Sequence, residues 1–253
     1  GDAWSRLELP GVSHVQEIHV LSYDHAFLLT STSDVFEYSE GNIRHHDLPT
    51  ASRLWGIWGR DADHVWAVGD HGAILFWDGE SWKPEAAATG LSLIDISGMP
   101  GGEAVASGEV LLKRTDAGWT LAGPGGDRGL YVLDHKNVFL WRSFGIGGEY
   151  AGLHHWDGEL LCETGEVLYG GKYLDDGQAD IPGNTVYSVW GTSDGAIWGV
   201  GDGLFALQKT GETIGCDDVE WRENSISFEP ECMEPVSSDS PGRDWSAALL
   251  TRF

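Results

Sequence analysis

Basic residues are scarce in this sequence. Its 253 residues include 15 Lys and Arg, only five of them Lys, against 40 Asp and Glu, which gives a formal net charge of −25. So acidic a surface repels the phosphates of nucleic acids and an anionic membrane surface alike, so we expect neither as a partner. The charge is compatible with a basic partner or with cations, and it is typical of a highly solvated surface.

Long apolar runs are also missing. No stretch of 18 apolar residues occurs, so no membrane-spanning helix is predicted. The first residues do not have the basic and then apolar layout of a signal peptide, and we interpret them as a mature start.

Cysteine is rare, with three residues. Cys216 and Cys232 bracket a polar stretch, and a disulfide between them would add about 3 kcal/mol in the chain-entropy model. Two free thiols are the alternative, and a disulfide would agree with an oxidising compartment. Cys162 is predicted to be a buried thiol on a strand. No pair has the C-x-x-C spacing of a zinc or redox site.

What is abundant is Trp (13) and Gly (36), and both recur within one repeated phrase. The fullest copy spans residues 54–82: an aliphatic and aromatic run, a second run ending in Gly-Asp, and an Asp-Gly hairpin followed by Trp. Copies start near Glu17, Arg53, Leu91, Gly129 and Thr185, at intervals of 36, 38, 38 and 56 residues. A repeat of about 40 residues with four short strands is typical of a β-propeller blade.

The repeat therefore predicts an all-β protein, a single β-propeller domain over residues 1–253 built from four-stranded antiparallel blades. The first blade is predicted at 17–22, 26–30, 35–38 and 43–48, and the third at 92–96, 104–107, 110–113 and 119–122. Tight hairpins, in which Gly supplies positive φ, are expected at the same phase of each copy. They are Glu40-Gly41, Asp78-Gly79, Asp116-Ala117-Gly118, Asp157-Gly158 and Thr210-Gly211.

The two ends of the chain interrupt this regularity. Residues 4–10 resemble a fourth strand with no strands before it, and residues 226–228 and 245–251 are candidate strands for the same blade. We therefore predict six blades, with the ring closed by the N-terminal strand joining the C-terminal blade, which removes open sheet edges. Five blades with an appended tail over 212–243 are the alternative. An insertion is predicted at about 165–183, and a monomer is expected.

Residues 61–82 resemble the Trp-rich propeller repeats of exported bacterial proteins and lipoproteins. Residues 191–202 match the first half of the same phrase. The resemblance implies a propeller fold and export, so we expect a protein that is periplasmic, tethered to the outer membrane or extracellular. Members of that group are mostly of unknown function, so the resemblance brings no catalytic residues with it.

Candidate ligand-binding residues lie in the loops expected to converge on one rim of a propeller. Mixed Arg, His and Asp side chains there can orient a polar ligand through charge-assisted hydrogen bonds. The alternative for the two Gly-Asp pairs is that each aspartate caps its own turn. The candidates are Arg53, Asp70, His71, Arg128, Arg142 and Asp202.

Metal sites have weaker signals. Asp175, Asp176 and Asp180 form an oxygen-rich loop that suits calcium, but they do not follow the spacing of an EF-hand loop, and a solvated acidic loop is the alternative. The pairs His45-His46 and His154-His155 cannot each chelate one ion, because adjacent strand residues point to opposite faces. No cofactor is predicted.

Two functions remain open at this point. The first is a non-catalytic binding or scaffold propeller that recognises a protein or a glycan on its loop rim. The second is a carbohydrate-active hydrolase or lyase in a central funnel, for which converging carboxylates would be the sign. No catalytic residues are predicted, because the sequence contains no known nucleophile or phosphate motif. Most Trp residues are interpreted as packing between blades, because they recur at one phase.

Overall fold

The computed structural model of the protein describes the strands of five antiparallel sheets. The described residues are 9, 11–12, 14–98, 102–126, 128–134, 136–144, 150–159, 161–169, 186–191, 196–201 and 204–208, and all belong to a compact unit, Gly1–Gly215. None of the helices among them is long and apolar enough to cross a membrane.

The strands follow one another along the chain. The first sheet has β1 (Val15–Ser22), β2 (His25–Thr30), β3 (Val35–Ser39) and β4 (Asn42–His46), and the second has β5 (Leu54–Asp61), β6 (His64–Gly69), β7 (Ile74–Trp77) and β8 (Trp82–Pro84). The third has β9 (Leu93–Gly98), β10 (Ala104–Gly108), β11 (Val110–Thr115) and β12 (Gly118–Pro124). The fourth has β13 (Leu130–Asp134), β14 (Asn137–Phe144), β15 (Tyr150–Trp156) and β16 (Leu161–Tyr169), and the fifth has β17 (Val186–Gly191), β18 (Ala196–Gly201) and β19 (Leu204–Gln208).

Each sheet is a meander in which every strand pairs with the next one in sequence. The first strands of the sheets contact each other in succession, β1 with β5, β5 with β9, β9 with β13, and β13 with β17. The predicted all-β class and the four-stranded antiparallel sheets are thus confirmed. The strands predicted for the first and third sheets agree with the observed ones to within two residues at most ends. Strand β16 continues to Tyr169, so residues 165–169, which the sequence assigns to the insertion, lie on a strand.

The hairpin turns are where the sequence placed them. Gly41, Gly79, Gly118 and Gly158 all have positive φ, the backbone conformation that their two-strand turns require. The fifth predicted turn, Thr210-Gly211, lies outside the described residues. Because these turns recur at one phase of the repeat, they set the length and register of the hairpin between the third and fourth strands in each of the first four sheets.

The core lies between sheets rather than within one. One face of the second sheet, including Val65 and Trp77, packs with Phe27 and Leu29 of the first sheet. Its opposite face, including Trp66, packs with the third sheet. Buried tryptophans recur in the packing between sheets, as the sequence predicts for most of them. They are Trp66, Trp77, Trp82, Trp119, Trp141 and Trp156, each at most 6% exposed.

The histidine pairs differ from each other in their surroundings. His45 is exposed and His46 is buried at 4% exposure, as alternation along β4 requires. In β15, His154 and His155 are both buried, and His155 stacks on Phe139 with 4.8 Å between ring centroids. Among the described residues, no group of three or more His, Cys, Asp or Glu side chains could hold a metal ion.

Several predictions fall outside the described residues. Cys162 lies on a strand, β16, as predicted, but its side chain is outside them. The others are the strand at 4–10 apart from Leu9, the insertion beyond Tyr169, the tail at 212–243, the Cys216 and Cys232 pair, and the calcium candidates Asp175, Asp176 and Asp180.

Candidate functional site

Side chains of the first strand of one sheet bond to the backbone of the first strand of the next. Three polar residues of β1 bridge to β5 in this way. The bonds join Gln16 Nε2 to the carbonyl oxygens of Leu54 (3.2 Å) and Trp55 (2.8 Å), His19 Nε2 to the carbonyl oxygen of Gly59 (2.7 Å), and the Ile57 amide to Glu17 Oε2 (3.0 Å). Since a carbonyl only accepts, His19 donates through Nε2, and burial lowers its pKa and favours the neutral ring.

Asp95 forms the corresponding bridge from the third sheet to the fourth. Its Oδ2 accepts hydrogen bonds from the Gly129 amide (2.8 Å) and the Leu130 amide (2.9 Å). Its Oδ1 accepts from the Ile96 amide at 2.8 Å. Both oxygens are therefore engaged by backbone donors, which holds this carboxylate in one orientation.

Glu17 and Asp95 also act on each other electrostatically. Burial, and then the charge of Asp95, raises the pKa of Glu17 well above its usual value. Burial raises the pKa of Asp95 to about 6, against the opposing effect of its three amide bonds and of Arg128. Two carboxylates thus converge beside one guanidinium, and their environment favours the protonated forms.

A second group of polar side chains surrounds the Trp55 ring, and we call Arg53, Trp55, Asp70 and Arg128 the Trp55 cluster. The Arg53 guanidinium carbon lies 3.7 Å from the Trp55 ring centroid, and that of Arg128 lies 5.5 Å from it. The Trp55 indole Nε1 donates to Asp70 Oδ1 at 2.7 Å. The aspartate fixes the ring, and the ring in turn holds both cations by cation–π attraction.

Local backbone contacts bring the two ends of the Trp55 cluster together. Asp70 opens the 3-10 turn Asp70–Gly72 after β6, and its amide donates to the Arg53 carbonyl oxygen at 2.8 Å. A Cβ at Gly69 would lie 2.0 Å from that same carbonyl oxygen, so only glycine allows this approach. The Gly-Asp pair therefore binds this loop to the start of β5, the first strand of the same sheet.

The structure unites three of the six predicted site residues, Arg53, Asp70 and Arg128. His71 is exposed with a φ of 59° and belongs to no interaction that brings it to them. Arg142 lies within β14, paired with Gly152, rather than in a loop. Asp202 is outside the described residues. The alternative for Asp70 is that its side chain caps its own turn. Instead, the Asp70 carboxylate accepts the hydrogen bond of the Trp55 indole.

Trp55, Glu17 and Asp95 were not among the predicted site residues. The interpretation of most tryptophans as packing residues does not single out Trp55, which is half-buried and follows the buried Leu54 on β5. Asp95 could have been found, because it is an acid inside a predicted first strand where three other copies have Leu21, Ile57 and Leu133 at the same distance from their starts. Glu17 stands at the start of its copy, where the residues of the other copies share no type, so no pattern marks it.

A polar groove adjoins the Trp55 cluster on the first sheet. It has a volume of about 540 Å³ and lies between the β2–β3 loop and the connection from β4 to β5. Its lining is mainly hydroxyls, carboxylates and imidazoles, and it ends at Arg53. The lining residues are Ser31, Thr32, Ser33, Asp34, His45, His46, Asp47, Leu48, Thr50, Ala51, Ser52 and Arg53.

The fold defined by these sheets is that of β-propeller proteins, to which the structure is similar. Among solved structures, the chain matches Ycf48 bound to D1 peptide, with 16% identity, a TM-score of 0.56, and coverage of 79% of this chain and 64% of that one. It also matches Ycf48 from Cyanidioschyzon merolae, with 15% identity, a TM-score of 0.44, and coverage of 72% and 64%.

A third match is a protein of unknown function from Bacteroides caccae, with 10% identity, a TM-score of 0.49, and coverage of 78% of this chain and 73% of that one. The chain spans 64% of the length of the two Ycf48 structures. No protein-family model matches the sequence, and no curated protein matches it either. At these identities the likeness establishes the fold alone.

Proposed function

We propose that this protein is a non-catalytic binding or scaffold propeller that recognises an acidic group of a protein partner at the Trp55 cluster. The observation that carries the proposal is the state of Arg53. Within the described part of the chain, its exposed guanidinium has no hydrogen-bond or ion-pair partner, yet it is held 3.7 Å from the Trp55 ring centroid. Its donors are thus oriented and unoccupied.

An arginine in this position suits a carboxylate. The planar guanidinium can form two parallel hydrogen bonds with a carboxylate, and stacking on an indole leaves its edge free to do so. Because the ring already restricts the side chain, less conformational entropy is lost when a ligand binds. Arg128, on the same ring, adds a second positive charge in a protein that is otherwise strongly acidic.

A polypeptide is the partner class that the comparisons favour. The Ycf48 structure with a TM-score of 0.56 is described as bound to D1 peptide. That description concerns Ycf48, and this chain spans only part of its length, so the ligand of this protein is a proposal. It agrees with the prediction of a protein or glycan ligand on the loop rim.

The test is an array of synthetic peptides in which each acidic peptide has a counterpart with Asn or Gln in place of its carboxylates. We expect the protein to prefer the acidic members. The variant Arg53→Gln should lose at least about tenfold in affinity for them, equivalent to about 1.4 kcal/mol. Fluorescence anisotropy with the best peptide measures this loss.

Arg44→Gln is the matched control. Arg44 is also exposed and also faces an indole, with its guanidinium carbon 5.4 Å from the Trp77 ring centroid, but it is outside the Trp55 cluster. Its replacement removes the same charge and should leave peptide affinity unchanged. Equal losses in the two variants, or no preference for carboxylates, would contradict the proposal.

A hydrolase remains the second candidate function, and the pair of Glu17 and Asp95 is the observation in its favour. Retaining and inverting glycosidases both use two carboxyl groups, one with a raised pKa as the general acid. Against it stand the bonds of both Asp95 oxygens to backbone amides. Turnover in a broad glycoside screen that disappears in Glu17→Gln would establish this second function.

We also propose that the ring has six blades, closed by strand 4–10 together with strands from 226–228 and 245–251. Support comes from the exposed apolar pair Ile18 and Val20, which points away from the second sheet at 56% and 63% exposure. A closing blade would cover these side chains.

Export is proposed on the resemblance of residues 61–82 to repeats of exported bacterial proteins. Fractionation of cells that express the protein from its own gene is the direct test. Accumulation in the cytoplasmic fraction would contradict export.

A further inference from the structure

The groove of the first sheet contains polar groups with unused hydrogen-bonding capacity. Among the described residues, the Ser31 and Ser52 hydroxyls and the Asp47 carboxylate have no hydrogen-bond partner for their side chains, although all three line the groove. Other lining groups are already engaged, such as Thr32, whose hydroxyl donates to Asp34 Oδ2 at 2.6 Å. The groove thus offers both hydrogen-bond donors and hydrogen-bond acceptors that are not engaged by the described residues.

The free groups are distributed along one connection. Asp47 follows β4 directly, and Arg53 directly precedes β5, so an acceptor and a donor stand at the two ends of the same loop. The Ser52 hydroxyl, next to Arg53, can both donate and accept. An extended polypeptide presents alternating N–H and C=O groups, and this arrangement of acceptor, hydroxyl and donor fits such a pattern.

We propose that this groove holds the polypeptide on one side of the acidic residue that Arg53 recognises, and that it selects small polar neighbours such as Ser, Asn and Gly. This inference rests on the proposed function, since Arg53 belongs both to the groove and to the Trp55 cluster. The ligand segment runs from the Trp55 cluster across the first sheet, with its carboxylate at Arg53.

The lining accounts for the selection of small polar side chains. Leu48 and Ala51 are the only apolar residues that line the groove, so a large apolar side chain would find few apolar contacts there. A bulky apolar neighbour of the acidic residue would cover free hydroxyls and the Asp47 carboxylate without replacing their bonds to water. Small polar residues either leave room for water to bond to these groove groups or bond to the groups themselves.

A saccharide would suit the groove less well. Exposed aromatic rings that stack on the apolar face of a sugar are missing from its lining, where the only rings are those of His45 and His46. The nearby indole of Trp55 is already occupied by the two guanidinium groups. The groove's hydroxyls remain compatible with an acidic disaccharide, so this ligand is included in the test.

The experiment compares four probes by isothermal titration calorimetry with the full chain. They are N-acetyl-glutamate N-methylamide, a hexapeptide with Glu among Ser, Asn and Gly, the same peptide with Leu and Phe as neighbours, and a uronate-containing disaccharide. We expect the polar hexapeptide to bind more tightly than the other three, by about threefold to tenfold relative to the apolar one, the range of one or two neutral hydrogen bonds.

Two groove variants and one control locate the effect. Ser52→Leu fills the groove, and Asp47→Asn removes the acceptor charge with little change of shape; both should abolish the preference for polar neighbours and retain recognition of the carboxylate. Ser39→Leu is the control, because Ser39 is a half-buried serine of the same sheet outside the groove. It should behave as wild type in binding, and circular dichroism compares the folding of all three.

The outcomes separate the two proposals. If the polar and apolar hexapeptides bind equally while Arg53→Gln still weakens both, the groove inference is wrong and the proposed function stands. If the polar preference survives in both groove variants, the groove inference is also wrong. If no peptide shows dependence on its carboxylate, the proposed function fails. Tighter binding of the disaccharide than of any peptide would overturn the polypeptide as the ligand class.

Discussion

At the scale of single residues, Glu17 and Asp95 are two carboxyl groups in similar positions that differ in their hydrogen bonds. Each is a carboxylate on a first strand, and each accepts hydrogen bonds from backbone amides of a neighbouring sheet. Each also carries a raised pKa, caused first by burial. The two residues differ in one respect, because Asp95 uses both oxygens and Glu17 is held through Oε2 alone.

This difference predicts opposite effects of amide substitutions. A carboxyl with a raised pKa in the folded state stabilises the protein fully below its unfolded pKa, about 4.3 for Glu, and loses this contribution as pH rises through the folded pKa. Glu17→Gln keeps an oxygen for the Ile57 amide and removes the titration. We expect it to match wild type near pH 4 and to be more stable at pH 8, measured by urea unfolding.

Asp95→Asn is the companion variant. An amide has one acceptor oxygen, so either the Ile96 amide or the pair from Gly129 and Leu130 loses its partner. We expect a loss of about 1–3 kcal/mol of unfolding free energy near pH 4, the cost of an unsatisfied buried donor. At pH 8 the loss should be smaller, because the substitution also removes a carboxyl whose pKa is raised to about 6 in the folded protein. If Glu17→Gln is less stable than wild type at pH 8, the assignment of the raised pKa to Glu17 is wrong.

At the scale of elements, a stack of aromatic rings crosses three strands of the second sheet. Register places Trp58 of β5 opposite Trp66 of β6, and Trp66 opposite Phe76 of β7. The ring centroids are 5.7 Å and 4.9 Å apart in turn, with interplanar angles of 18° and 29°. Such cross-strand pairs stabilise a sheet beyond the area they bury.

Glu85 joins Trp66, the middle ring of this stack, to the third sheet. Its carboxylate accepts from the indoles of Trp66 (3.2 Å) and Trp119 (2.7 Å) and from Arg114 through two nitrogens (2.9 and 3.2 Å). Burial alone would raise the pKa of Glu85, but the bonds from Arg114 and the indoles outweigh it, and the pKa lies below its usual value. The tryptophans of the repeat thus carry polar contacts between sheets as well as apolar ones.

The inner end of the stack depends on a glycine. A Cβ at Gly98 would lie 1.6 Å from Cζ2 of the Trp58 ring, which occupies that space. We expect Gly98→Ala to lower the unfolding free energy by about 1–3 kcal/mol, because the ring must leave its place against Trp66. Gly123→Ala is the control, since nothing lies within 4 Å of a Cβ there.

Chemical denaturation of both glycine variants separates the clash from the general effect of replacing Gly by Ala, which acts partly through the unfolded chain. Equal stabilities for Gly98→Ala and Gly123→Ala would show that the Trp58 ring is free to move aside. Near-ultraviolet circular dichroism, which reports the packing of the tryptophans, should change in the first variant only.

At the scale of the whole molecule, the first sheet stands apart from the three that follow it. In each of those, the first strand turns two apolar side chains toward the preceding sheet, and both are at most 6% exposed. The equivalent pair in β1, Ile18 and Val20, is exposed. The buried pairs are Leu54 and Ile57, Leu93 and Ile96, and Leu130 and Val132.

The six-blade proposal makes this exposure a test. Ile18 and Leu121 are equally exposed in the described structure, at 56% and 54%. If a closing blade covers Ile18, Ile18→Lys should cost several kcal/mol as a buried charge does, whereas Leu121→Lys should stay within about 0.5 kcal/mol of wild type. Equal and small effects in thermal or urea unfolding of the full chain would contradict closure over this face.

Most of the fold could be predicted from the sequence, because the same pattern of strands and turns occurs in several copies of the repeat. Turn glycines such as Gly79 and buried positions such as Trp77 recur at one phase, so each copy supports the others. The site could be predicted only in part. Arg53 and Asp70 meet at Trp55 within the second sheet, whereas Arg128 reaches the same ring from the segment before β13, and the order of residues along the chain does not indicate that contact.

The bridges from Gln16, Glu17, His19 and Asp95 have one property that reaches beyond this protein's stability. Every one of them ends on a peptide group of the next sheet, and none ends on a side chain. A peptide group is the same whatever residue carries it, so a sheet held in this way places little demand on its neighbour's sequence. These joints can therefore persist while copies of the repeat diverge, and the limit on divergence lies with the side chains that pack between the sheets.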